Sequence, residues 1–170
     1  MKKIVFSVLS ASLLLGSHGA MAKGLDYAGA GLAFQDVDGM SELGVAIYGN
    51  AGIKMPEVHK NFRVEGEASY SLVDASRNDI DVSILTLGGY GAYQHFISGE
   101  LRAKARAGLV FARSEVDCGA LCKGDSDSDI DLSLGVGLIY NYQSNMKLTA
   151  DWTIVTNDIS HLSAGVRYEY

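Results

Sequence analysis

The sequence predicts an all-β fold, an eight-stranded antiparallel up-and-down transmembrane β-barrel. Three observations predict it. From about residue 25 onward apolar and polar residues alternate with period two, as in strands whose successive side chains face opposite ways. Glycine supplies 20 of the 170 residues and proline only one, which suits close packing and uninterrupted ladders. The charged residues of the best segments all fall on one row, leaving the other row apolar. Composition removes the competing classes. With 48% hydrophobic and 20% charged residues the chain is not disordered. No run of about 18 apolar residues provides a helical span. A net charge of −6 argues against nucleic acid as a partner.

Residues 1–22 read as a cleavable signal peptide. Met1-Lys2-Lys3 is the positive start, Ile4 to Leu15 the apolar stretch, and Ala20-Met21-Ala22 the small-x-small cleavage site. The expected mature barrel domain, residues 23–170, carries 12 basic and 20 acidic residues, a net charge of −8. Export makes a disulfide between Cys118 and Cys122 the favoured state of the two cysteines, since oxidising compartments preserve such bridges.

The strands follow in chain order. Residues 25–35, rich in Gly and Ala, leave the register open between Ala28/Ala30/Leu32/Phe34 and its complement. Residues 43–54 put Leu43, Val45, Ile47, Ala51 and Ile53 on one side. Residues 62–72 set Phe62, Val64, Ala68, Tyr70 and Leu72 against Arg63, Glu65, Glu67, Ser69 and Ser71. Residues 80–94 begin with Ile80, Val82 and Ile84, but Leu85 and Leu87 break the pattern, which implies a β-bulge or an apolar patch on the inner face. Residues 101–111 interleave Leu101, Ala103, Ala105, Ala107, Leu109 and Phe111 with Arg102, Lys104, Arg106 and Gly108. Residues 130–142, 146–154 and 161–170 alternate in the same way and end in Tyr168-Glu169-Tyr170. About 18 residues per strand and connection is longer than the spacing of soluble sandwiches.

Orientation of the rows separates a soluble barrel from a membrane one. Aromatics top and tail the apolar rows: Phe62, Tyr90, Phe96, Tyr140, Tyr142, Tyr168 and Tyr170 at one end, Phe34, Tyr70 and Phe111 at the other. Two such rings match the girdles of a membrane barrel. Strands of about ten or more residues, tilted by about 45°, span the hydrocarbon layer. If Arg102, Lys104, Arg106, Lys147 and Arg167 faced lipid, each would cost roughly 2–4 kcal/mol, a total of about 10–20 kcal/mol, enough to cancel a typical net stability of about 5–15 kcal/mol. The charged row therefore belongs inside. The expected lumen set is Arg63, Glu65, Glu67, Arg102, Lys104, Arg106, Lys147, Asp151, Arg167 and Glu169. An eight-stranded barrel is just wide enough for its side chains to fill, so these groups are expected to form a salt-bridge network closing the lumen. A gated narrow ion path is the alternative.

The C-terminus Ser163-Ala164-Gly165-Val166-Arg167-Tyr168-Glu169-Tyr170 resembles the C-terminal insertion signal of Gram-negative outer-membrane barrels, with Gly165, Tyr168 and Tyr170 at its characteristic positions. With the leader and the eight strands, the chain resembles the small OmpA/OmpX/opacity-type barrel family along its mature length. The resemblance implies an outer-membrane location, contact with lipids and lipopolysaccharide, and insertion by the barrel-assembly machinery. It also implies a monomer with periplasmic termini and loops facing outward. Turns are then expected at 55–60, 95–99 and 143–145, and external loops at 36–42, 73–79, 113–129 and 155–159.

The external loops are acidic, with Asp36, Asp38, Glu42, Asp74, Asp79, Glu115, Asp117, Asp125, Asp127, Asp129 and Asp158. Asp125-Ser126-Asp127-Ser128-Asp129 lacks the spacing and terminal Glu of a calcium-binding EF loop, so no metal or other cofactor is expected. His161-Leu162-Ser163 is similar to the His-x-Ser element of outer-membrane lipid A deacylases. Ala164 replaces the Asn that follows in that family, and no acidic residue lies suitably downstream to orient the His. No catalytic residue is assigned. The expected role is structural or surface-interacting, with any ligand met by residues 113–129.

Overall fold

The computed structural model describes residues 24–77, 80–117 and 125–170. The expected leader at 1–22 and the Cys118/Cys122 pair lie outside the described residues. The described residues form nine strand segments: β1 Tyr27–Val37, β2 Gly44–Lys54, β3 Phe62–Val73, β4 Ala75–Arg77, β5 Ile80–Phe96, β6 Leu101–Asp117, β7 Asp125–Asn141, β8 Met146–Thr156 and β9 Ile159–Glu169. Each pairs antiparallel with its neighbours, in the order β3-β2-β1-β9-β8-β7-β6-β5-β4. A β3–β5 pairing, Phe62 opposite Tyr93 through Tyr70 opposite Leu85, closes the sheet on itself. The small β4 continues the line of β3 beyond Asp74 and pairs only with the start of β5. The result is a closed barrel of eight antiparallel staves. Closure leaves no free edge around the ring.

The alternation read from the sequence becomes the inside and outside of this ring. In β1, Tyr27, Ala33 and Gln35 are buried while Leu32 and Phe34 are each 50% exposed. That settles the register of the first strand with Ala28, Ala30, Leu32 and Phe34 outward. Val64, Leu109, Leu132, Leu134, Val136, Leu148, Trp152, Leu162 and Val166 stand exposed on the outer wall. Arg63, Glu65, Lys104, Arg106, Lys147, Asp151 and Arg167 are buried within. This inverts the arrangement of a protein dissolved in water.

Of the two alternatives for β5, a bulge or an apolar patch on the inner face, the structure has the patch, and the bulge is the first of the corrections. No register shift interrupts its ladder with β6 from Asp81 opposite Asp117 to Phe96 opposite Arg102, so there is no bulge between residues 81 and 94. Apolar residues simply occupy both faces: Val82 and Ile84 turn inward and pack with Val37 and Ala75, while Leu87 is exposed outside. The second correction concerns aromatics. Tyr90 is 4% exposed and faces the lumen, and Phe96 shares the inner face with Arg102. Neither belongs to the outer aromatic ring. Register shifts occur instead at Val45/Ala46 and at Ile154/Thr156, both near the end of the barrel away from the termini.

A third correction concerns the expected 113–129 loop. β6 and β7 stay paired as far as Val116 opposite Asp125, so most of that stretch is a hairpin ladder. β8 pairs with β7 only from Leu134 toward Asn141, so the upper part of the hairpin rises beyond the partner strand.

Candidate functional site

Parity along each strand aims the polar row into one enclosed space, and the cross-strand registers decide which groups meet. At its centre Arg106 holds Glu67 with both guanidinium nitrogens, Nη1 to Oε2 at 2.7 Å and Nη2 to Oε1 at 3.0 Å. The paired contact is the strongest geometry open to a carboxylate and a guanidinium. Arg106 also donates to Thr153 Oγ1 from Nη2 at 2.6 Å and lies 4.3 Å above the Tyr90 ring. This explains the inward turn of Tyr90: its face accepts the cation and its hydroxyl lies 3.4 Å from Ser133 Oγ.

One layer toward the termini, Lys104 Nζ stands 2.7 Å from Asp151 Oδ1 and 3.5 Å from Glu65 Oε2. Glu65 also accepts from Arg167 Nη2 at 3.3 Å and from the hydroxyl of Tyr27. The Arg167 guanidinium covers the Tyr27 ring at 3.9 Å. At the terminal mouth Arg102 reaches Glu169 at 3.4 Å. Arg63 and Lys147 are buried at the same end. Lys147 donates to the main-chain carbonyls of Gln143 and Ser144. All ten expected lumen residues thus face inward, and eight of them join ion pairs.

Away from the termini the lining loses its charge. Ser71 Oγ takes the Ile84 N–H at 2.9 Å, where the β3–β5 ladder has ended, and donates to Gln35 Oε1 at 2.6 Å. The Gln35 amide nitrogen lies 3.1 Å from His161 Nε2. Ser163 Oγ donates to the main-chain oxygen of Asp151 at 3.3 Å. His161 and Ser163 therefore each bind the wall, not one another. Above them Val37, Ala75, Val82 and Ile84, with Met40, Val116 and Ile159 against them, form an apolar cap. The apolar patch expected as one alternative on the inner face of residues 80–94 is part of this cap, formed by Val82 and Ile84 on the otherwise polar row.

The wall also needs glycine at points of close approach, Gly165 among them. A Cβ on Gly165 would fall 2.5 Å from the Ala30 carbonyl oxygen and 2.4 Å from Tyr48 Oη. Tyr48 fills the lumen over this gap, packed with Ala33 and Ala46. Gly165 thus has a packing role. Tyr168 and Tyr170, the other residues of the C-terminal motif, are exposed on the outer wall with their rings 5.3 Å apart.

Among the described residues no group of His, Cys, Asp and Glu is arranged to hold a metal ion. The end away from the termini carries exposed acids, among them Asp127 and Asp129, whose carboxylates accept the N–H of Ser128 and Ile130. Arg113 lies there too and pairs with Glu115 at 2.9 Å.

Solved structures share this architecture. Neisserial surface protein A is 19% identical, with a TM-score of 0.67 over 85% of this chain and 96% of that one. Ail, the attachment invasion locus protein of Yersinia pestis, is 17% identical, with a TM-score of 0.57 over 85% and 99%. The N-terminal β-barrel domain of Pseudomonas aeruginosa OprF is 16% identical, with a TM-score of 0.57 over 86% and 99%. No curated protein matches the chain in sequence. The outer membrane protein beta-barrel domain family matches residues 7–169. With a closed eight-stave ring, an apolar exterior and a charged interior, the chain belongs to the outer membrane protein beta-barrel domain family.

Proposed function

We propose that this protein is a monomeric, non-conducting barrel of the Gram-negative outer membrane whose working part is the surface it presents outward. Residues 1–22 direct export, the barrel-assembly machinery inserts residues 23–170, and the termini lie in the periplasm. Lipids and lipopolysaccharide surround the apolar wall. The observation that carries the surface role is the β6–β7 hairpin, still paired at Val116 and Asp125 where β8 has already ended. A paired hairpin holds side chains in fixed positions at lower ordering cost than a loose loop, which favours binding. Cys118 and Cys122 then close its tip as a disulfide.

Ail, one structural neighbour, has been crystallised with the heparin analogue sucrose octasulfate. The outward end of this chain carries charge of the same sign as a sulfated glycan, with Asp36, Asp38, Glu42, Asp74, Glu115, Asp127 and Asp129. Acidic side chains repel sulfated glycans and favour a cationic partner. The decisive experiment deletes residues 116–126 and assays surface binding and detergent sensitivity separately. Loss of binding with an intact envelope supports the surface role. Loss of envelope integrity alone makes the barrel a structural element, and no change in either removes the hairpin from the function.

A narrow ion path is the second reading, favoured by one observation. Several buried polar atoms near the termini, including both amide atoms of Gln94, have no hydrogen-bond partner. Such a space admits water. The apolar cap of Val37, Ala75, Val82 and Ile84 would still interrupt it.

A further inference from the structure

The lumen network is unbalanced. Six cations, Arg63, Arg102, Lys104, Arg106, Lys147 and Arg167, share the space with four carboxylates, Glu65, Glu67, Asp151 and Glu169. All four carboxylates are engaged: Glu67 by Arg106, Asp151 by Lys104, Glu65 by Lys104 and Arg167, Glu169 by Arg102. Arg63 and Lys147, 7% and 5% exposed, form no ion pair among the described residues. Both belong to the end near the termini. Lys147 stands directly opposite Arg167 in the β8–β9 register, and Arg63 is within Coulombic range of Arg102, Arg167 and Glu169.

The same region holds the unmet donors. Arg63 Nε, Arg167 Nε and Nη1, and Gln94 Nε2 are buried donors without a hydrogen-bond partner, while Gln94 Oε1, an acceptor, is unmet as well. Gln94 is 2% exposed, lies directly across from Lys104, and is one inward step along β5 from Ala92, the partner of Arg63. Buried like charges in excess of their counter-charges are strongly unfavourable in a low-dielectric interior. Water would complete the hydrogen bonds and leave the charge excess in place.

We propose that the terminal third of the lumen is an anion site that takes one chloride-class ion between Arg63, Arg167 and the Gln94 amide nitrogen. Lys147 stands at its mouth. This inference rests on the lumen geometry and is independent of the surface role proposed above. The size limit comes from burial: Arg63, Arg167 and Gln94 are 7%, 1% and 2% exposed, so the smallest, monatomic anions are the class proposed.

The test uses the mature barrel folded in zwitterionic detergent, unfolded reversibly in sodium chloride, gluconate or phosphate at matched ionic strength. Above the dissociation constant, each tenfold rise in chloride shifts the equilibrium about tenfold toward the folded state, while gluconate and phosphate do not. The double variant Arg63→Gln/Lys147→Gln loses this dependence. Should that variant fail to fold, Gln94→Glu supplies a fixed carboxylate, which abolishes the chloride dependence and stabilises the barrel in gluconate. Bromide-grown crystals then show anomalous density beside Arg63 and Gln94. Equal stability in chloride and gluconate, a phosphate effect matching chloride, or an undiminished chloride response in Gln94→Glu would each overturn the proposal.

Discussion

At the scale of single residues, the interior is held by pairs whose members depend on each other. Arg106 and Glu67 share two hydrogen bonds away from water, so removing one strands the other. Arg106→Met alone is expected to cost about 3–5 kcal/mol, whereas Arg106→Met with Glu67→Met should come close to neutral. Urea unfolding of the detergent-folded barrel measures both, and equal losses in the single and double variants would deny the coupling. Gly165→Ala places a methyl group against the Ala30 carbonyl and Tyr48, and overpacking of this kind typically costs about 1–3 kcal/mol. The same assay checks it, with Gly66→Ala, where a Cβ meets nothing within 4 Å, as the control that should lose less. Which residues enter the lumen was legible in the sequence because the strand period is two and lipid tolerates no charge on the other row. Which of them pair was not. Arg167 and Glu65 lie 102 positions apart and meet only through the registers of the closed ring. Tyr90 was misassigned for a further reason: an aromatic ring suits lipid, and its face suits an enclosed guanidinium equally well.

At the scale of elements, period two identifies a strand only where its two sides differ. β3, β8 and β9 separate lipid from lumen cleanly, and their alternation is correspondingly clean. β5 carries apolar residues on both sides at its outer end, where Val82 and Ile84 cap the lumen, and so its sequence imitates a bulge. The outer half of the β6–β7 hairpin fails in the opposite sense. Its Asp and Ser residues meet water on both faces, so the ladder reads as a polar loop. Beyond the end of β8, one edge of β7 has no strand beside it, and Asp127 and Asp129 bond to the neighbouring N–H groups there. Charge of this kind discourages another strand from pairing. Amide hydrogen exchange should divide the hairpin at that point. Amides of residues 127–131 are expected to exchange at least about tenfold faster than those of residues 134–140, which lie between two strands. Uniform protection along β7 would show that the outer hairpin is as firmly held as the barrel wall.

For the whole molecule, the proposed non-conducting state rests on two closures in series: the charge network near the termini and the apolar cap at the other end. Planar-bilayer recordings distinguish their contributions. Glu65→Ala/Glu67→Ala should leave the barrel non-conducting while the cap persists. Adding Val82→Gly and Ile84→Gly should produce discrete channel openings. Large currents from the carboxylate variant alone would assign the seal to the charges.

Beneath all of this lies the inverted arrangement of the wall, with hydrocarbon against its outer face, and the chain carries an internal reporter of it. Trp152 is the only tryptophan, and it stands on the outer wall, 47% exposed. In vesicles containing phospholipids brominated along their acyl chains, its emission should be blue-shifted, strongly quenched by the bromines and insensitive to aqueous iodide. A red-shifted emission quenched by iodide and untouched by the brominated lipids would contradict a membrane-embedded barrel outright.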